Sequence, residues 1–223
     1  MKTRSLCAAF CLVNFILLSG GCSNDSPESA ETPSVPAPFN LEIGNQWIYN
    51  RYSIDVTNPS VETYTGIKDT VTAEAIVQIL GVDFLKLNHS VYSYGFQDEY
   101  VRVDDFGHLI GFKDRYNGDF SNITESSLTV IHPGEDSSYE NTVTNEFGSI
   151  FYHMEPQTNT TVEGNEYSIL PFRGLFTPIN PNEINKTVVI DYQMEVGLVR
   201  QNILTVGSNT GYEDRLVSYT SAP

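Results

Sequence analysis

The sequence predicts an all-β domain, a single antiparallel sheet with few or no helices, and three observations predict it. Apolar side chains recur at period two through most of the chain. Tyrosine (13) and phenylalanine (12) are abundant, and aromatic and β-branched residues suit a pleated, half-buried surface. No stretch sustains a 3.6-residue apolar stripe between caps, and only 175–184 has room for a single helical turn.

The elements follow in order. A first strand is expected over 46–56, after the turn pair Gly44-Asn45. It carries Trp47, the only tryptophan, expected first as a core anchor and second as a platform for a ligand. Val71, Ala73, Ala75, Val77 and Ile79 then alternate with Thr70, Thr72, Glu74, Ile76 and Gln78, which predicts a strand with one buried face. Leu85, Leu87, His89 and Val91 alternate with Lys86, Asn88 and Ser90. Val101 and Val103 flank Arg102, and Asp104-Asp105-Phe106-Gly107 turns the chain into a strand over 108–112, with glycine placed for positive φ. Further strands are expected near 127–132, 139–152, 166–172, 186–194, 197–206 and 212–220, with Gly197 at a bulge or tight bend. Their spacing of about 10–15 residues, with Asn, Gly and Pro between them, indicates a meander.

The N-terminus addresses the compartment. Lys2 and Arg4 precede a mostly apolar run from Leu6 to Leu18, 13 residues long, whereas a membrane-spanning helix needs roughly 20. Residues 1–21 therefore read as a signal peptide. Ser19-Gly20-Gly21-Cys22 supplies small residues before a thiol suited to acylation. Of Cys7, Cys11 and Cys22, only Cys22 would survive cleavage, so the domain is expected to hold without disulfides. Two or three acyl chains, at about 0.8 kcal/mol per buried methylene, anchor without spanning. Ser23, in place of a retention aspartate, favours the outer membrane, with the domain facing periplasm or exterior. Residues 22–38 form a lipidated N-terminus and tether whose Ser, Pro, Glu and Ala cannot bury a core. Residues 39–223 form the β domain.

Removing residues 1–21 leaves 10 basic and 28 acidic side chains, a net charge of −18. So acidic a body argues against nucleic acid, whose binding depends on neutralising phosphate, and against docking of the domain itself on anionic lipid. Solubility or a salty habitat explains the acidity, with cation binding as the alternative.

Three segments resemble uncharacterised lipoproteins and secreted proteins, chiefly of Bacteroidetes. Phe39-Asn40-Leu41-Glu42-Ile43-Gly44-Asn45-Gln46-Trp47-Ile48-Tyr49 is similar to their G-N-x-W-x-Y opening. Tyr100-Val101-Arg102-Val103-Asp104 with Gly107 resembles their central hairpin. Val196-Gly197-Leu198-Val199-Arg200 and Leu216-Val217-Ser218-Tyr219 resemble their closing strands. The resemblance implies a curved sheet like the half-barrel of lipoprotein carriers, a fold-level analogy. It carries no activity and no catalytic residues.

No recognised catalytic or phosphate-binding motif is present. Among the four histidines, His89 lies in an apolar phase and is expected as a satisfied core residue. Asp104, Asp105 and His108 share one turn and offer metal ligands, although such a turn is expected without a metal. The run 114–119 resembles a calcium loop without its ligand spacing. His132 or His153 with an acid and a serine would imitate a hydrolase triad, but nothing in the sequence joins them. Tyr92, Tyr94 and Phe96 share the strand phase opposite Leu85, Leu87 and Val91. They are expected either to line an apolar concave face as ligand contacts or to lie under a loop, with Tyr100 as the fourth ring of the group.

The leading expectation is a non-catalytic, acidic envelope lipoprotein, palmitate-type acylated at Cys22, without cofactor or metal, that binds an apolar ligand, a lipid or a protein partner on its sheet. The alternatives are an accessory component of a surface assembly without a pocket and, third, a hydrolase with an unrecognised acidic site. An open apolar cavity would favour the first, and convergent acids and histidine in a cleft would favour the third.

Overall fold

The computed structural model describes residues 39–93, 96–114 and 117–222 and, of residues 92, 93, 96 and 97, the backbone alone. The signal peptide, Cys22 and the tether expected over 1–38 lie outside the described residues, as does Tyr94.

The described chain forms thirteen strands: β1 (Gln46–Asp55), β2 (Asn58–Ile79), β3 (Val82–Ser93), β4 (Phe96–Val103), β5 (Leu109–Lys113), β6 (Thr129–His132), β7 (Glu140–Asn145), β8 (Gly148–Met154), β9 (Thr158–Val162), β10 (Asn165–Pro178), β11 (Lys186–Gln193), β12 (Gly197–Ile203) and β13 (Thr210–Thr220). Among the described residues the helical element is one 3-10 turn, Glu125–Ser127. No described helix is long and apolar enough to cross a membrane. The stretch with room for a helical turn, 175–184, is not helical: β10 runs on through Pro178, where Leu175 and Phe176 pair with β8 and β11.

The order is β6-β5-β4-β3-β2-β1-β13-β12-β11-β10-β8-β7, with β9 paired to the first half of β10. Two antiparallel meanders thus join through the first and last strands, which pair from Gln46↔Thr220 to Asp55↔Thr210. The sheet does not close, since β6 and β7 are its edges. Yet it curls strongly. His132 on β6 reaches β10, where its Nε2 lies 3.0 Å from the Leu170 carbonyl, and its ring lies 4.7 Å from that of Tyr192 on β11. The expected curved half-barrel is what the chain forms.

Several elements follow the sequence closely. Gly107 takes φ +82° in the hairpin after β4, and Asp104 Oδ1 accepts from the backbone N–H groups of Phe106 and His108. The opening and closing segments of the resemblance meet in space: Trp47 Nε1 donates to the Val196 carbonyl at 2.5 Å, and its ring stacks on Tyr219 at 5.6 Å.

Two readings need correction. The run 139–152 is not one strand but a hairpin, because Asn145 Oδ1 accepts from the N–H groups of Phe147 and Gly148 and turns the chain. The alternation from Val71 to Ile79 is not one buried face either. A register shift between Ala73 and Ala75 is a β-bulge that reverses the side-chain phase. Val71 and Ala73 join the inner core with Trp47, Tyr49, Leu85, Val101 and Leu216. Val77 and Ile79 join a second cluster with Phe84, Tyr100, Phe112 and Ile123, against which Phe120 and Leu128 of the 114–128 loop pack.

Candidate functional site

Inner-face side chains from both meanders surround a cavity of about 830 Å³, a volume suited to a small organic ligand. Trp47, Val71, Leu87, Val101, Ile190 and Leu198 form much of its wall. Trp47 is the expected core anchor, at 5% exposure, and it is also part of the lining. Phe39, Asn40 and Leu41 also line the cavity, so the segment that follows the tether runs along it.

Into these apolar walls the strands bring titratable groups. Asp69, Val71 and Ala73 share one phase of β2, as do Leu85, Leu87 and His89 on β3 and Glu99, Val101 and Val103 on β4. Register sets Val71 opposite His89 and Leu87 opposite Glu99. His89 Nδ1 lies 2.7 Å from Asp69 Oδ2, and His89 Nε2 lies 3.5 Å from Glu99 Oε2. Asp69 also accepts from the Val91 N–H and the Ser90 hydroxyl. Lys113 faces Glu99 across β4 and β5.

The electrostatics follow from these contacts. Burial opposes a charged imidazole at position 89, but hydrogen bonds to Asp69 and Glu99 and their charges outweigh it, and the His89 pKa is lifted to about 9. Burial also works against the Asp69 and Glu99 carboxylates. His89 overcomes it for Asp69, and Lys113 and His89 overcome it for Glu99, so both acids stay below the usual range. Burial raises the phenols of Tyr49 and Tyr192. Arg51 and Asp214 form a second ionic pair, Nε to Oδ1 at 2.7 Å and Nη2 to Oδ2 at 2.8 Å, and Asp214 lines the cavity.

His89 is therefore not the enclosed core residue that its phase suggested. It is satisfied, but by two carboxylates and on the cavity wall. The sequence carried a signal for this group that went unread: Asp69, His89 and Glu99 each interrupt the apolar phase of a strand.

The other candidates stand apart. The side chains of Tyr92 and Phe96, like Tyr94, lie outside the described residues; the described lining of β3 is Leu87 and His89. Tyr100 lies in the opposite cluster, stacked on Phe112 at 5.4 Å. His108 lies 3.5 Å from Asp104 and 3.6 Å from Asp136. Asp114 Oδ2 accepts from the Gly118 N–H, an interaction of the loop itself. His132 is fully buried and His153 is a half-exposed neighbour of Glu155; no described contact joins either to a serine. Among the described residues no three His, Cys, Asp or Glu side chains are arranged to hold a metal ion.

No protein-family model and no curated protein matches the chain. Among solved structures it is similar to the crystal structure of a candidate lipoprotein from Parabacteroides distasonis ATCC 8503. The identity is 10% and the TM-score 0.35, over 82% of this chain and 97% of that one. A likeness this distant carries neither fold nor function to the present chain.

Proposed function

We propose that the protein is a lipoprotein of the outer membrane, acylated at Cys22, whose curved sheet holds an apolar ligand or lipid in the cavity of its concave face. The cavity carries this reading. A sheet that served only as a scaffold has no need of a volume of about 830 Å³ walled by Trp47, Leu87, Val101 and Ile190, since protein interiors otherwise pack with few voids larger than a water molecule. The reading favours a binding protein over an accessory component with a filled core.

Native mass spectrometry of the protein from its own host tests it. A co-purified hydrophobic mass supports ligand binding, and a clean apo mass with no uptake of an apolar fluorophore overturns it. Palmitate labelling that is lost in Cys22→Ser supports the anchor, and an unlabelled wild-type protein rejects it.

A second, hydrolytic reading is favoured by the convergence of Asp69, His89 and Glu99. The same geometry weakens it, because an imidazole that keeps its proton up to about pH 9 is a poor general base at neutral pH. Hydrolysis of an ester substrate that disappears in His89→Gln would restore it.

A further inference from the structure

Both edges of the sheet lie on the cavity. β6 and β7 are each bonded to a neighbouring strand on one side only. Thr129, Val130 and Ile131 of β6 and Asn141 and Val143 of β7 belong to the lining. The two edges converge at the loop that joins them. The rings of His132, which ends β6, and of Tyr139, which precedes β7, lie 5.7 and 5.8 Å from that of Phe172. The cavity is thus flanked by two open ladders along the line where the curled sheet does not close.

β7 is the more accessible of the two. All six of its residues are exposed, and its register with β8 runs unbroken from Glu140↔His153 to Asn145↔Gly148. It holds no lysine, proline or bulge, the devices that ordinarily keep an edge from pairing. Its outward N–H and C=O groups have no backbone partner among the described residues. A hydrocarbon chain cannot satisfy them, whereas a polypeptide backbone can. A strand laid beside β7 also sends alternate side chains the way Asn141 and Val143 point, into the cavity.

Charge defines the rest of the partner. From Asn117 to Phe172 the chain carries nine carboxylates and no lysine or arginine. Two of these acids, Glu140 and Glu146, are exposed at the two ends of β7. Resting on the ligand-binding reading above, we propose that the ligand is an extended segment of a partner polypeptide that adds antiparallel to β7. Apolar side chains at every second position enter the cavity, and a lysine or arginine at each end meets Glu140 and Glu146. The acidic surface around the seam favours such a basic segment and repels an acidic one.

Binding of a fluorescein-labelled peptide to the protein from its own host, held in phosphatidylcholine nanodiscs with empty discs as the blank, tests the proposal. The peptide alternates valine and threonine between terminal lysines. Its anisotropy should show saturable binding, about tenfold tighter than that of a peptide of the same composition with its valines grouped, which cannot all reach the cavity. N-methylation of one alternate set of amides, those of valine or those of threonine, should abolish binding by removing the donors that face β7. Glu140→Lys/Glu146→Lys should weaken the lysine-ended peptide by about fivefold to tenfold, the size of two exposed ion pairs, and a glutamate-ended peptide should recover the loss. Equal binding of the grouped peptide, tolerance of both methylated sets, or indifference to the charge reversal overturns the strand at β7. A co-purified lipid mass together with no peptide binding also overturns it and leaves the cavity to a lipid. A clean apo mass and no peptide binding overturn the cavity reading as well.

Discussion

Gly197 lies directly against the indole of Trp47. A methyl group built at Gly197 would sit 3.1 Å from Nε1, and the glycine takes φ +105° where the chain turns into β12. The indole N–H is held by the carbonyl of the preceding residue, Val196. The closing strands therefore grip the first strand through this ring, and the glycine makes room for it.

Gly197→Ala is expected to cost about 2 kcal/mol, from left-handed backbone strain together with displacement of the ring. As Trp47 is the only tryptophan, its emission reports the site directly. A shifted emission maximum and a lower denaturant midpoint are the expected results. An unchanged spectrum and midpoint would show that the contact is slack.

Stability should fall on both sides of neutrality, for opposite reasons. The folded His89 pKa of about 9 lies above its unfolded value of roughly 6.5. Its stabilisation is therefore complete below about pH 6.5 and lost as pH rises to about 9. His132 is the reverse. Burial outweighs the Leu170 carbonyl and the charge of Asp191, and its folded pKa falls to about 4. The unfolded chain then binds the extra proton, and stability is lost as pH falls from about 6.5 to about 4. Denaturant midpoints across pH should show both limbs, with the alkaline one flattened in His89→Gln and the acid one in His132→Gln. An alkaline limb that persists in His89→Gln would refute the ion-paired imidazole.

Arg51 and Asp214 are neighbours across β1 and β13, the junction of the two meanders, and both are buried. Asp214→Asn removes the charge from this buried two-bond pair with Arg51 and should cost about 3–5 kcal/mol in chemical unfolding. The double variant Arg51→Met/Asp214→Leu should recover most of that loss. A double variant no better than Asp214→Asn would mean that the pair contributes more than apolar packing can replace.

Enlarging a wall residue separates binding from folding. Leu87→Trp places a larger side chain where the cavity has room, so stability should change by less than about 1.5 kcal/mol. Affinity for an apolar probe should fall by about tenfold or more. Full probe binding in this variant would put the ligand elsewhere.

Which strands were legible depended on water. β1 has one face buried and shows it as alternation, and the apolar residues of β3, β11 and β13 mark those strands although each buries neighbouring residues on opposite faces. The first half of β2, Asn58–Lys68, is almost wholly exposed, and β9 is the polar run Thr-Asn-Thr-Thr-Val. Neither has an apolar period, so both were missed. The bulge in β2 was hidden for another reason: the apolar residues keep their parity straight through it in sequence, and only pairing with β3 reverses the face.

The sequence by itself determined the all-β class, the period-two strands and the expectation that packing without disulfides holds them, because each is a local property of side chains meeting water. Tertiary structure alone decided that the first and last strands pair, that the sheet curls until His132 touches β10, and that Asp69, His89 and Glu99 converge on one cavity. Those relations join residues up to about 175 positions apart through strand register, and no local pattern of polarity specifies which strand lies beside which.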